Sequence, residues 1–288
     1  MQTEIRSNLL IVKINSFGAE VCSVKNNNGL EFIWQADKAV WARHAPALFP
    51  IVGKLKDNFF VHEGKKYELP QHGFARDAEF ELTEKKEDSC TFQLIANTET
   101  KTKFPFEFKF LISYAIIENK LETHYNVINP SGQTIYFSVG AHPGFNCPIS
   151  SNEKFEDHFL EFENDSFSQT TLNNGLRTDL KTALKLTDQK LFLTKALFDN
   201  DALVFEGKQI NSVSLCSSVS KHKITLLCDG WPYFGIWTKK GNRQFICLEP
   251  WYGIADHENP ANQLSKKEGI IQLAPNAEFK ATFSLFFS

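Results

Sequence analysis

Long stretches of this chain alternate apolar and polar residues one for one. In the last stretch, EFKATFSLFFS, apolar side chains occupy every second position: Phe279, Ala281, Phe283, Leu285 and Phe287. A period of two places such side chains on one face of a β-strand. The stretch is therefore predicted to be a strand with an apolar face in the core and Lys280, Thr282 and Ser284 facing out.

Short turn signals separate these stretches and predict antiparallel hairpins. Asn28-Gly29 suits a tight hairpin turn, and Glu63-Gly64 and Glu118-Asn119 each lie between two alternating arms. Helical periodicity is weak throughout, and segments 187–199 and 260–269 could each hold a turn or two. The pattern favours an all-β protein.

No repeat, low-complexity tract or Pro/Gly-rich linker divides the 288 residues. All-β domains of this length occur as single units, and the 27 phenylalanines suit a wide interface between sheets. We predict one domain over residues 1–288, a large antiparallel β-sandwich of two sheets packed face to face. One sheet of such a sandwich is often concave, which is where a ligand would lie.

Composition limits the kinds of partner that this protein is expected to bind. A net charge of -3 gives no basic face for nucleic acid, and no apolar run reaches the roughly 18 residues that span a bilayer. The first residues lack the apolar core of a signal peptide, so we expect a cytoplasmic protein. We also expect a monomer or a homodimer. The six cysteines form no C-x-x-C pair, which makes both disulfides and zinc poor interpretations.

Two histidines lie among small residues. His142 is in GAHPGFN, after an alternating run, and His72 is in QHGFAR beside Gly73. A lone histidine in a tight loop is often only a turn cap, but small neighbours also leave space for a substrate. The presence of two such histidines makes the structural interpretation less attractive for both.

Glu249 follows an apolar strand and is flanked by Leu248, Pro250 and Trp251. Apolar neighbours partly desolvate a carboxylate, which raises its pKa and makes it a better base near neutral pH. A glutamate at a strand end that pairs with a lysine is the equally weighted alternative.

Taken in order, HGFAR, GAHPGFN and LEPWYGIAD resemble the aldose 1-epimerase (mutarotase) family, and the likeness extends over nearly the whole chain. The resemblance is greatest to its shorter branch, which includes lactose-operon-associated and hexose-6-phosphate 1-epimerase-like proteins. It implies a β-sandwich with a sugar site on a concave face. Matched motif to motif, it makes Glu249 the base, His142 the acid and His72 a residue that binds the sugar and polarises its ring oxygen. It implies no metal and no organic cofactor.

The resemblance also suggests substrate-binding residues. Lys54 stands where the family's longer branch has a sugar-binding arginine, and lysine lacks the planar fork of that residue. Arg76 matches an arginine of the phosphate-preferring branch in register, whereas Arg43 matches only with a shift of one position. If these three cations converge, they could bind a phosphate, and if Arg76 pairs with Asp77 it is structural.

Trp237 and Asp229 are further expected neighbours of the sugar, although a tryptophan in such a chain more often belongs to the core. Two other functions stay open. A non-catalytic sugar-binding protein would use the same fold without an acid and a base. A glycosidase would need a second carboxylate facing Glu249, for which Asp77 and Asp229 are the available residues.

Overall fold

The computed structural model describes residues 1–288. Twenty-four strands account for most of its regular structure. They are β1 (Gln2–Arg6), β2 (Leu10–Asn15), β3 (Glu20–Asn26), β4 (Ala47–Leu48), β5 (Phe59–His62), β6 (Lys65–Glu68), β7 (Glu81–Lys85), β8 (Ser89–Ile95), β9 (Lys109–Ile117), β10 (Lys120–Ile128), β11 (Ile135–Phe137), β12 (Val139–Ala141), β13 (Gly144–Asn146), β14 (His158–Phe162), β15 (Ser166–Asn173), β16 (Leu176–Lys185), β17 (Lys190–Phe192), β18 (Leu203–Glu206), β19 (Ser212–Ser217), β20 (Lys223–Leu227), β21 (Tyr233–Trp237), β22 (Phe245–Tyr252), β23 (Ile271–Leu273) and β24 (Glu278–Phe287).

Helix is scarce, as the weak helical periodicity predicts. The one α-helix, α1 (Thr98–Lys103), was not expected, and Asn97 begins it with a capping box to Thr100. Four short 3₁₀ turns cover Lys56–Asn58, Ala75–Asp77, Phe155–Asp157 and Leu264–Lys266. The last lies inside segment 260–269. Segment 187–199 holds strand β17 and, after it, two hydrogen-bonded turns, from Leu197 N to Thr194 O and from Asp199 N to Ala196 O.

Two large antiparallel sheets dominate the molecule, as predicted. One has nine strands in the order β17-β14-β19-β20-β24-β10-β9-β8-β7. The other has eight, in the order β16-β15-β18-β21-β22-β12-β4, with β13 also paired to β22. Hairpins form at Glu63-Gly64, between β5 and β6, and at Glu118-Asn119, between β9 and β10. Asn28-Gly29 also lies in a turn, which is closed by a hydrogen bond from Gly29 N to Asn26 O at 2.9 Å and by an isolated bridge between Lys25 and Glu31.

Phenylalanines fill the space between the two sheets. Phe49, next to β4, stacks on Phe110 of β9 with ring centroids 4.7 Å apart. On β24, Ala281, Phe283, Leu285 and Phe287 are all buried, which confirms the predicted inward face. The six cysteines are free and buried. None of the helices has the length and apolar character needed to cross a membrane.

Strand β22 positions the site. Its first seven residues are buried, so the strand is covered on both faces, and it lies between β21 on one side and β12 with β13 on the other. A polar side chain on such a strand is desolvated unless a cleft opens over it. Glu249 is that side chain.

Candidate active site

A cleft of about 410 Å³ opens over the eight-stranded sheet. Residues of β15, β21, β22 and the loops around them line it. They are Trp41, Lys54, Gln71, His72, Arg76, His142, Leu172, Asn174, Gly175, Asp201, Ala202, Trp237, Glu249 and Trp251. Five of the predicted site residues besides Glu249 therefore share the cleft with it, and Arg43 and Asp229 do not line it.

Strand register brings His142 and Glu249 together. Gly140 of β12 pairs with Trp251, and Gly144 of β13 pairs with Cys247, so position 142 lies opposite position 249. Residues paired in this way project from the same face of a sheet. His142 Nε2 consequently lies 3.2 Å from Glu249 Oε2, with both side chains almost completely buried.

Burial sets the charge of this pair. Desolvation raises the pKa of Glu249 well above its ordinary value, and the charge of Asp201 acts in the same direction. Desolvation also lowers the pKa of His142 to about 3. Burial thus favours an uncharged carboxyl against an uncharged imidazole, with one proton between the two side chains.

Aromatic rings hold the His142 imidazole in place. Trp41 stacks on it with centroids 5.1 Å apart and planes 30° apart, and Trp237 meets it edge-on at 5.7 Å. The buried Nδ1 atom of His142 has no hydrogen-bond partner. The imidazole is therefore fixed by packing, while its hydrogen-bonding capacity is left incomplete.

His72 lies at right angles to His142, with ring centroids 5.6 Å apart. Its Nδ1 accepts a hydrogen bond from the Gly53 amide at 3.2 Å, which leaves Nε2 to carry the proton of the neutral ring, 3.3 Å from the side-chain amide nitrogen of Gln71. Burial lowers the pKa of His72 well below its ordinary value, and His142, Arg76 and Arg43 add to the effect. His72 is thus a neutral hydrogen-bond donor at this site.

Two of the three predicted cations reach the cleft. Lys54 Nζ donates to the Asn174 carbonyl at 3.1 Å. Arg76 donates from Nη2 to the Gln71 carbonyl at 2.6 Å, but its buried Nε has no partner. Burial lowers the pKa of Arg76 to about 10, and nearby Arg43 contributes.

Arg43 lies behind Arg76 and outside the cleft. Its Nη2 donates to Asp77 Oδ1 at 2.9 Å, while Arg76 Nε lies 3.8 Å from Asp77 Oδ2. Asp77 thus pairs mainly with Arg43. Asp229 is exposed in the turn after β20 and does not line the cleft.

Sequence reasoning missed several lining residues. Asp201, in the loop before β18, places a second carboxylate in the cleft and has a left-handed backbone with φ of 84°. Gln71 and Asn174 add amide groups. Gln71 precedes His72 directly and could have been named from that motif, but no pattern marks Asp201 or Asn174.

Cys247 is a third buried side chain beside this pair. Its thiol, the His142 imidazole and the Glu249 carboxyl have ligand atoms within 4.8 Å of one another. Burial, followed by Glu249, raises the pKa of the thiol well above its ordinary value. A metal ion would have to displace that proton, since the thiolate is the ligand form.

Comparison with known proteins identifies the family. The family model described as aldose 1-epimerase matches residues 1–285. This chain belongs to the aldose 1-epimerase family. It is similar to plasmid-encoded protein LacX of Lactococcus lactis subsp. lactis, with 31% identity over 296 residues that cover 99% of each chain.

Solved structures of similar proteins have the same fold as this member of the aldose 1-epimerase family. A galactose mutarotase related enzyme from Lactobacillus acidophilus shares 38% identity at a TM-score of 0.95, over 100% of this chain and 97% of that one. A galactose mutarotase-like protein from Lactobacillus casei ATCC 334 shares 29% identity at a TM-score of 0.91, over 100% of both chains. Membership of the aldose 1-epimerase family supports a sugar epimerase of the isomerase class.

Proposed function

We propose that this protein interconverts the α and β anomers of a hexose or hexose phosphate. The observation that carries the proposal is the contact of 3.2 Å between His142 Nε2 and Glu249 Oε2 in a cleft large enough for a sugar ring. Anomer exchange needs one group that takes a proton from the C1 hydroxyl and another that gives a proton to the ring oxygen. A buried glutamate and histidine that share one proton meet that need.

Ring opening transfers two protons and leaves the total unchanged. The Glu249 carboxylate takes the C1 hydroxyl proton, the His142 imidazolium protonates the ring oxygen, and the bond between C1 and that oxygen breaks. C1 becomes an aldehyde carbon, rotation about C1–C2 presents its other face, and closure reverses both transfers. The product leaves with the same atoms as the substrate.

The charge preference of the site suits this sequence. Opening converts an ionised Glu249–His142 pair into an uncharged one, and burial favours the uncharged form. The ionised form needs only a proton shift along the existing contact between the two side chains. The desolvated site thus stabilises the protonation state that follows ring opening.

Other cleft residues hold the sugar in this proposal. His72 Nε2 donates to the ring oxygen, because its Nδ1 is already occupied by Gly53. Trp237 presents an aromatic surface to the C–H face of the ring. Lys54 and Arg76 bind hydroxyls or a phosphate, since both cationic side chains line the cleft. Arg43 supports Arg76 from outside.

The test is NMR exchange between anomers at equilibrium for glucose, galactose and glucose 6-phosphate. Wild type is expected to accelerate exchange on at least one sugar, and Glu249→Gln and His142→Asn each to lower that rate by about 10²- to 10⁴-fold. Full exchange by Glu249→Gln would refute its role as base. Saturable binding by wild type without any exchange would instead support the non-catalytic sugar-binding alternative.

Substitution of Arg76 tests whether the cleft recognises a phosphate group on the sugar. Arg76→Gln is expected to raise KM for glucose 6-phosphate by about tenfold or more, because a charge-assisted contact is lost, and to leave KM for glucose nearly unchanged. Lys223→Gln is a matched control, since Lys223 pairs with Glu161 on the other sheet. An equal change for both sugars in Arg76→Gln would contradict phosphate recognition by Arg76.

A further inference from the structure

Trp251 has an unused hydrogen-bond donor beside the proposed base. It lies two residues after Glu249 on β22, so both side chains project from the same face of the sheet. Trp251 is 7% exposed and lines the cleft, and its buried Nε1 has no hydrogen-bond partner. Buried indole N–H groups normally donate a hydrogen bond, so the orphan donor requires an explanation.

Two glycines on the neighbouring strands make room for this indole. A Cβ atom on Gly140, which pairs with Trp251, would lie 2.7 Å from indole Cδ1. A Cβ atom on Gly235, which pairs with Glu249, would lie 2.3 Å from Cζ2 and Cη2. Because neither position tolerates a side chain at those distances, the indole lies flat across three strands in one orientation.

That orientation fixes which way the indole N–H faces. Nε1 lies between Cδ1 and Cε2 in the ring, and Cε2 bonds to Cζ2. Cδ1 lies beside Gly140, which is paired with Trp251 across the sheet. Cζ2 lies beside Gly235, which is paired with Glu249. The ring edge that carries Nε1 therefore crosses β22 on the side of Glu249.

Glu249 needs such a donor when it loses its proton. The one ion-pair contact of its side chain is with His142 Nε2, at 3.2 Å. A carboxylate so completely buried is costly without additional donors. Desolvation raises the pKa of Glu249, and Trp251 is the neighbour that acts in the opposite direction.

We propose that Trp251 is a positioning residue for the base, and that its indole N–H donates to the Glu249 carboxylate when that group ionises. The inference rests on the proposed function, because it assigns Glu249 the ionised form before ring opening. Gly140 and Gly235 contribute to this arrangement, because their lack of a side chain lets the indole lie close to Glu249.

The kinetic test replaces the donor and keeps an aromatic ring. Trp251→Phe is expected to lower kcat for anomer exchange by about tenfold or more, since a hydrogen bond to a charged group is lost, with a smaller change in KM. The alkaline limb of the pH profile should move to higher pH, because Glu249 then keeps its proton longer. Trp231→Phe is the matched control: it removes a buried indole N–H that donates to Thr282 in the core.

The direct test does not depend on catalysis. In protein labelled with ¹³C at glutamate carboxyls, Glu249 is assigned by the signal lost in Glu249→Gln, and its titration midpoint is measured. The midpoint is expected at higher pH in Trp251→Phe than in wild type or Trp231→Phe. Equal midpoints would overturn the inference even if exchange is observed. A shifted midpoint in a protein without exchange would uphold the inference and refute the proposed function.

A third measurement uses the unaltered chain, in case Trp251→Phe does not fold. Of the five indole N–H signals in ¹⁵N-tryptophan protein, one should titrate with Glu249 in wild type and stay fixed in Glu249→Gln. A downfield proton shift as pH rises is expected for a bond to a carboxylate. Five indole signals that are all independent of the Glu249 titration would overturn the inference.

Discussion

Two buried histidine–glutamate pairs in this protein have nearly equal distances and different surroundings. His142 Nε2 lies 3.2 Å from Glu249 in the cleft, and His158 Nε2 lies 3.1 Å from Glu153 beside β14. The glutamate side chains are 2% and 3% exposed. Distance and burial alone would not tell which pair is functional.

The His158 pair is saturated with hydrogen bonds. His158 Nδ1 lies 2.9 Å from the Lys154 carbonyl and Nε2 accepts from the Ile149 amide at 3.3 Å, so both ring nitrogens are occupied. Burial would raise the pKa of Glu153, but hydrogen bonds from Ser220 and Ser217 outweigh it, and the pKa is lowered. This pair holds a loop against its strand and stays ionised on the glutamate side.

The cleft pair lacks these partners. His142 Nδ1 and Trp251 Nε1 are both unpaired, and the pKa of Glu249 is raised by burial. Satisfied polar networks stabilise a fold, whereas incomplete ones persist where a ligand completes them. The comparison teaches that the number of unpaired polar atoms, not the distance, distinguishes the pair to which we assign proton transfer from the pair that is structural.

The largest expected difference between the two pairs is the sign of the change in unfolding free energy at pH 8 when each glutamate is replaced by glutamine. Glu153→Gln should destabilise the protein by about 1–3 kcal/mol, because hydrogen bonds to a charged acceptor are lost. Glu249→Gln should raise Tm by about 2–4 °C, which corresponds to roughly 1 kcal/mol, because it removes a desolvated acid. Thermal unfolding of both variants measures this, and a loss of stability in Glu249→Gln would break the comparison.

The pH dependence of those changes separates the pairs further. Glu249 has a raised pKa in the folded protein, so its contribution to stability is complete below pH 4.5 and is lost as pH rises toward that folded pKa. Glu153 has a lowered pKa, so its contribution is present above pH 4.5 and is lost as pH falls. The advantage of Glu249→Gln should therefore grow with pH, and the deficit of Glu153→Gln should shrink toward low pH. Urea unfolding from about pH 2.5 to 8 tests both, because the change for Glu153 falls below pH 4.5. Parallel curves for the two variants would contradict the account.

The smallest effect concerns Asp201. Its charge helps to raise the pKa of Glu249, so Asp201→Asn should lower that pKa slightly and move the alkaline limb of anomer exchange to lower pH. Asparagine also tolerates the left-handed backbone at this position. Asp179→Asn is the control, because Asp179 is 98% exposed on β16. If the alkaline limb of the pH profile is unchanged in Asp201→Asn, the charge of Asp201 does not act on Glu249.

The sequence predicts the fold well because alternation is a local property. The inward face of β24 and the hairpins at Glu63-Gly64 and Glu118-Asn119 follow from residues that are close in the chain. Helix α1 was missed although Asn97, its N-cap, is a helix-start signal. The signal is weak in a segment with no apolar face.

The site is less predictable because it depends on register between distant strands. Local sequence marks His142 and Glu249 as unusual, but only the pairing of Gly140 with Trp251 places them opposite each other. Asp201 reaches the cleft from a loop without any repeating pattern. The space that Gly235 leaves for the indole likewise appears only when β21 is laid beside β22.

The most direct test of the central claim is the rate of anomer exchange per folded molecule in Glu249→Gln and Glu153→Gln, with the same sugar and at a temperature where both are folded. The account predicts that Glu249→Gln loses about 10²- to 10⁴-fold while Glu153→Gln keeps the wild-type rate. Equal rates in the two variants, whether both retained or both lost, would contradict it.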